Sequence, residues 1–364
     1  MKVTINDIAE LAGVSKTTVS FAFNDPERIG EATRERILTI AEEHGYIPDP
    51  VARTMSSGNV GAIGLLVPQS IPATFANRHN TRILDGIGAA CERYRNHLTL
   101  IPPMEGSLYH SVRNASVDGL VALGLIANEQ AVRAIRQRRI PFVAIDGSQG
   151  DEVPSVGIDD RAAAAEIMRY VLSFGHRRIG IIGLGPEDGA AGRPTFESTG
   201  TQYSGIGELR LLGYDDALRE VGLSLEDDRV LVRQTEADIT FGETRARELL
   251  TSDQPPTVLV TSSDETALGV YRAAEELGLR IPEDVSVAGF DGIDEGAIVR
   301  PKLTTVHQSG YEKGERAAEL LFGALSGDGA VPAPVTIRTE LRAGGSVREP
   351  RDHVAASAGG TRDG

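Results

Sequence analysis

The chain is poor in the residues that staple a fold: among 364 residues there is one cysteine and no tryptophan. A lone Cys91 forms no intrachain disulfide and supplies no structural zinc site, so it reads as a small residue of a helix. The seven histidines include no pair within five residues of each other, so a helix-borne zinc pair is unsupported. Neither a metal nor a cofactor is expected. Positive charge is also scarce, with 37 basic against 52 acidic residues and a net charge of −15. That excludes a basic coat for nucleic acid, so any DNA contact must be local. The longest apolar runs, 60–68 and 119–127, are about half of the roughly 18 residues of a bilayer span, so no membrane association is expected. Asp7 interrupts the apolar stretch a secretion signal needs, which points to the cytoplasm. Catalytic signatures are missing too: there is no G-x-S-x-G, no H-E-x-x-H and no P-loop. Gly183-Leu184-Gly185 follows an apolar run, but Asp188 stands where a dinucleotide loop needs its third glycine. No catalytic residue is assigned, and an enzyme is not expected.

What is present is an ordinary globular composition, 24% charged and 40% apolar. Three helical patterns fill residues 1–45. Residues 46–59 hold Pro48, Pro50 and a polar run at 56–59, and read as a hinge. From Val60 onward apolar runs at 60–68, 98–102, 118–123, 141–146, 178–183, 229–234, 257–262 and 285–291 alternate with amphipathic patterns. The helices among them are expected near 79–96, 128–139, 159–175, 207–222, 241–251 and 264–278. Such alternation predicts an α/β fold, here two lobes of about four parallel strands each within 60–342. A ligand cleft belongs between the lobes, at the carboxyl ends of strands. The stretch 343–364 has no apolar periodicity and reads as a disordered tail. Gly185 to Gly207 is too long for a tight turn, and reads either as a lid or as a disordered excursion.

At the N-terminus Thr4 and Asp7 form a capping pattern, Gly13 ends the first helix, and Ser15 caps a second. Val19, Ala22 and Phe23 turn inward on that second helix, toward Ile37, Leu38, Ile40 and Ala41 of a third. This is a helix-turn-helix. Its opposite face carries Thr17, Ser20, Phe21 and Asn24, with Lys16 alongside. Short hydroxyl and cationic side chains there suit a major groove, although a plain solvated face has the same spacing. Residues 1–58 hold six basic and nine acidic side chains. Non-specific DNA affinity should therefore be weak, and binding should lean on dimerisation and specific contacts.

The run Val3-Thr4-Ile5-Asn6-Asp7-Ile8-Ala9, with Ala12-Gly13-Val14-Ser15 and Thr18-Val19-Ser20, resembles the opening of the LacI/GalR family of transcriptional regulators. Later marks agree: Val51-Ala52-Arg53-Thr54-Met55, Phe174-Gly175-His176-Arg177-Arg178-Ile179, Pro282 to Asp291, and Leu303-Thr304-Thr305-Val306. The resemblance spans residues 3–342. It implies a helix-turn-helix headpiece and a bilobal periplasmic-binding-protein-like core, dimerisation, a pseudo-palindromic operator, and a small effector of sugar or nucleoside type. Lys16 and Thr17 are then base readers, with Thr4, Ser15, Thr18, Ser20 and Asn24 beside them on the DNA. Phe21 departs from the usual arginine and can offer only apolar contact, for example to a thymine methyl, unless it folds over the small core. Arg53 and Met55 belong to the hinge, Met55 as the minor-groove wedge. In the cleft the resemblance assigns Arg210 and Asp291 as an effector clamp, or else a structural ion pair, and Asp146 as a second carboxylate, or else a turn residue. Ile239 stands where an aromatic platform is common and Ser263 where asparagine is common, and Phe75 is the nearest stacking candidate. Asp264 reads as a helix cap or a ligand contact. The expected function is an effector-controlled transcriptional regulator, with a cytoplasmic sugar-type binding protein lacking DNA function as the alternative.

Overall fold

The computed structural model describes residues 3–49, 54, 58–124, 129–147, 153–185, 204–327 and 333–351. Two compact units divide at Gly61/Ala62. In the first, α1 (Ile5–Ala12), α2 (Lys16–Asn24) and α3 (Glu31–Glu43) enclose one small core. Thr4 and Asp7 form the reciprocal capping box, and Gly13 ends α1 at φ 62°, a conformation that favours glycine. Ser15 caps α2 by accepting from the Thr18 amide at 3.1 Å. Ile8, Val19 and Ile37 are fully buried, joined by Ala12, Ala22 and Ala41. Each large apolar side chain so buried contributes about 1.5–3 kcal/mol. Phe23 meets Tyr46 edge-on at 5.8 Å.

The second unit holds two six-stranded sheets rather than two of four. The first has strands β1 (Ala62–Leu66), β2 (His97–Ile101), β3 (Gly119–Leu123), β4 (Phe142–Ile145), β5 (Ser155–Gly157) and β11 (Val335–Thr336), in the order β2-β1-β3-β4-β5-β11. The second has β6 (Ile179–Leu184), β7 (Val230–Thr235), β8 (Val258–Thr261), β9 (Ser286–Asp291), β10 (Thr304–Gln308) and β12 (Thr339–Arg342), in the order β7-β6-β8-β9-β10-β12. All pairings are parallel except β10 with β12. The central strands are buried along their whole length, as parallel strands covered on both faces must be.

Helices α4 (Ile71–Ala76), α5 (Arg78–Tyr94), α6 (Leu108–Asn114) and α7 (Glu129–Arg138) belong to the first lobe. The second has α8 (Asp160–Ser173), α9 (Ser204–Glu220), α10 (Ile239–Leu250), α11 (Asp264–Glu276) and α12 (Asp294–Ile298). Helix α13 (Gly310–Ser326) returns to the first lobe, where Ala317, Leu321 and Phe322 join its core. The chain therefore passes between lobes at 158–159, at Ser309 and at 337–338. Ile158 packs on both cores. Of the added strands, β5 and β11 are only three and two residues long and β10 and β12 are largely polar, so their apolar runs are weak in the sequence.

The expectation of disorder from residue 343 is corrected for 343–351. Ser346 is fully buried, its hydroxyl donating to the Val287 carbonyl at 2.6 Å and accepting from the Thr304 amide at 2.8 Å. The Arg348 carbonyl meets His176 Nε2 at 2.8 Å. Backbone pairing along a sheet end needs no apolar period, which is why the pattern was silent. Among the described residues no helix is long and apolar enough to cross a membrane. Of the lid or disordered excursion expected over Gly185 to Gly207, residues 204–207 instead open α9, while 186–203 and the residues from 352 lie outside the described residues.

Candidate ligand and nucleic-acid sites

Helix α2 keeps its outer face open. Lys16, Thr17 and Asn24 are exposed, while Thr18, Ser20 and Phe21 are half-buried. Local bonds hold some of these groups in place: Ser15 and Thr18 hydroxyls pair at 2.8 Å, and Asn24 Nδ2 donates to Ser20 Oγ at 3.3 Å. Phe21 stays out of the small core, and the Arg28 guanidinium lies 5.3 Å from its ring centroid. Lys16 and Thr17 are thus the side chains with most freedom to reach a partner, next to an apolar ring with a cation over it. Arg53 and Met55 lie outside the described residues.

In the second unit the cleft forms at the carboxyl ends of strands from both sheets. Asp146 follows β4, Leu123 ends β3, Leu184 ends β6, Asp291 ends β9 and Gln308 ends β10, and all five line a cavity of about 60 Å³ with Asn77, His79, Asn80, Arg210 and Ser263. Asp146 and Asp291 have φ of 53° and 118°. Non-glycine residues hold such conformations only when their surroundings enforce them, and such strain gathers at functional sites.

A polar chain crosses from lobe to lobe. Lys313, fully buried on α13, bonds Asp146 and the Gln308 amide oxygen. Gln308 Nε2 donates to Asp291 Oδ1 at 2.6 Å. Arg210 comes within 3.7 Å of Asp291 but makes its short contacts elsewhere: Nε to Asp160 Oδ1 at 2.8 Å and Nη1 to the Ser262 carbonyl at 2.6 Å, its guanidinium 3.8 Å from the Phe290 ring centroid. The structural ion pair of Arg210 is therefore with Asp160, which leaves Asp291 with spare acceptor capacity. Burial pushes the Asp291 carboxyl up to about 6 against the pull of Arg210 and Gln308.

Of the expected cleft residues, Asp146, Arg210, Ser263 and Asp291 come together. Ile239 does not: it opens α10 and borders a separate groove with Leu268 and Tyr271, while Ala237 takes the cleft position. Asp238 caps α10, so Ile239 is the first residue of that helix. Phe75 is not among the lining residues either, being 52% exposed on the short helix α4. Asp264 does not cap its helix and is not among the residues that line the cleft. Ser263 caps α11, and Asp264 accepts from the Gly292 and Ile293 amides at 2.8 and 2.9 Å and from Thr305 Oγ1 at 2.7 Å, fixing the loop that follows Asp291. Sequence reasoning missed His79, Asn80, Gln308, Lys313 and Asp160. Only Asp160, in Ile158-Asp159-Asp160 after a short apolar run, offered a signal, as a carboxylate at a strand end.

Arg78, beside the cleft residue Asn77, ties the lobes together. Its amide donates to Glu265 Oε1 at 3.0 Å, its Nη1 reaches both Glu265 oxygens at 3.0 and 2.9 Å, and its Nε reaches Glu295 at 2.5 Å.

Comparison with known proteins agrees with this architecture. Residues 4–49 match the family described as bacterial regulatory proteins, lacI family, and residues 168–347 match the periplasmic binding protein-like domain. The chain is 32% identical over 356 residues to the HTH-type transcriptional repressor CytR of Escherichia coli, covering 95% of this chain and 96% of that protein. Among solved structures, the transcriptional regulator CelR in complex with cellobiose is 26% identical with a TM-score of 0.68, covering 95% of this chain and 100% of that one. The lac repressor dimer bound to operator and the anti-inducer ONPF shares the fold, at 22% identity and a TM-score of 0.77, covering 96% of this chain and 100% of that one.

Proposed function

Because the chain belongs to the lacI family of bacterial regulatory proteins, we propose how its parts divide the work of an effector-controlled transcriptional repressor. The protein is a DNA-binding transcriptional regulator, and its relatives are regulators rather than enzymes. Residues 1–45 form the headpiece, 46–59 the hinge, and 60–342 the effector-binding and dimerisation core, extended by 343–351. Two copies bind a pseudo-palindromic operator in the cytoplasm. Lys16 and Thr17 read base edges, Phe21 contributes an apolar contact in place of a guanine reader, and Thr4, Ser15, Thr18, Ser20 and Asn24 set the register on the backbone. Arg53 and Met55 serve the hinge on the minor groove. Asp146, Arg210, Ser263 and Asp291 hold the effector between the lobes, and no catalytic step is assigned to any of them.

The observation that carries this reading is the presence, in one chain, of a helix-turn-helix with an open Lys16–Thr17 face and a cleft whose carboxylates are held strained at strand ends. By linkage, effector and operator alter each other's affinity by the same factor. Selection of bound sequences from a random DNA pool by the purified full-length protein tests it. A pseudo-palindrome should be enriched, with half-sites that change when Phe21→Arg is used. Absence of any enriched sequence would overturn the DNA reading and leave a ligand-binding module.

A further inference from the structure

We propose that His79 is a specificity-determining residue of the cleft, pairing with a hydroxyl or amine of a ligand that carries no negative charge. The inference rests on the effector-site reading above and adds the class of ligand. His79 lies in the first turn of α5, is 9% exposed, and lines the cavity opposite the second-lobe residues Arg210 and Asp291. Its Nε2 is buried and has no hydrogen-bond partner among the described residues. Buried ring nitrogens are nearly always paired, so this one is a place for a partner that arrives from outside.

The ring brings no charge. Burial, together with Lys313, Arg210 and His307 nearby, holds its protonation well below the ordinary histidine range. A neutral imidazole offers one N–H and one lone pair, and so suits a hydroxyl, which can both give and accept. Among the described residues the cleft's full cations are already committed, Lys313 to Asp146 and Gln308, Arg210 to Asp160 and the Ser262 carbonyl. Asp291 is the surplus charge, with one short bond from Gln308 and further lone pairs to fill. A phosphate ester or sugar acid would face that carboxylate in a low dielectric, with no uncommitted cation among the described residues to receive it. A polyol or an amino sugar supplies donors to Asp291 from one side and meets His79 from the other. Leu123, Leu184 and Ile206 provide apolar wall for its carbon face.

Calorimetric titration of the full-length protein with ribose, cellobiose and glucosamine, and with the phosphate monoesters of ribose and glucose and with glucuronate, tests this. At least one uncharged or amino member should bind, and the anionic members should bind at least about 100-fold more weakly. His79→Ala should weaken the bound member about tenfold, and His79→Gln, which restores a donor and an acceptor, should recover part of the loss. Equal or tighter binding of an anionic member overturns the proposal, as does unchanged affinity in His79→Ala. Retention on the selected operator sequence is measured in parallel. A protein that binds operator but no member of the panel loses the ligand class and keeps the regulator reading, whereas loss of operator binding fails the reading beneath it.

Discussion

At Asp291 a left-handed backbone, full burial and a carboxylate coincide, and Arg210, Asp160, Asp264, Asp146 and Lys313 are the charges around it. Its carboxyl is pushed from an ordinary 3.8 up to about 6. The native protein thus keeps this proton over a range in which the unfolded chain has released it. The stability it contributes is complete below about pH 4 and is lost as pH rises through 6. Asp291→Asn keeps the acceptor for Gln308 and removes the titration. The variant should therefore gain on wild type between pH 4 and 6, reaching of order 3 kcal/mol near neutrality. Thermal denaturation across that range checks it, and parallel profiles would show that the carboxylate is not strained by burial. Arg210→Ala is a poorer probe of the cleft, because it leaves Asp160 buried and unpaired at a cost of about 3–5 kcal/mol. Asp291 and Arg210 were legible because strand ends and family resemblance mark them. Lys313 was not: Tyr311-Glu312-Lys313-Gly314-Glu315 reads as a charged, exposed helix start, and its burial follows only from where α13 docks.

Among the elements, α5 and α13 decide the geometry of the first-lobe wall. They run parallel, from the pairing of His79 with Gly310 at their starts to the stacked Tyr94 and Phe322 rings, 4.4 Å apart, near their ends. Their backbones touch through glycine: a Cβ at Gly314 would lie 2.0 Å from the Ile83 carbonyl oxygen, and one at Gly86 the same distance from that of Tyr311. This contact brings His79 and Lys313 to the same end of the cleft. Gly314→Ala gains helix propensity of about 1 kcal/mol but forces two backbones apart. Overpacking should outweigh it, leaving a net loss of about 1–3 kcal/mol and a fall of several degrees in Tm by calorimetry. An unchanged or raised Tm would mean the helices can part without cost, and that the glycines do not set the wall. The sequence revealed α5 by its amphipathic period and left α13 without assignment, since Gly310, Gly314 and Gly323 weaken the helical pattern, the first two of them where the helix closely approaches α5. Likewise β10 and β12 were absent from the expected strands: Thr304-Thr305-Val306-His307-Gln308 is largely polar in sequence although β10 lies buried between β9 and β12, and β12 is a partly exposed edge strand.

For the molecule as a whole, the question is what holds the cleft shut. Its cavity of about 60 Å³ is far below the several hundred a small-molecule site occupies, so a sugar-sized ligand enters only when the lobes part. Three short crossings at 158–159, 309 and 337–338 allow that motion without unfolding either sheet. Against it stands Arg78, which binds Glu265 through both side chain and amide and reaches Glu295 as well. Glu265 is nearly fully buried, so parting the lobes exchanges this pair for water, while removing Arg78 strands a carboxylate in the closed form. Charge-assisted bonds of this kind contribute about 1.5–3 kcal/mol, enough to move an open-to-closed ratio by about 10- to 100-fold. Arg78→Ala should therefore lengthen the distance between dyes placed on one protomer by Glu92→Cys in the first lobe and Asp253→Cys in the second. The native thiol does not interfere, being buried and pushed up to about 11. A distance distribution unchanged from wild type would place the closing force in the Asp146–Lys313–Gln308–Asp291 chain instead, and ligand entry would then have to break that chain first.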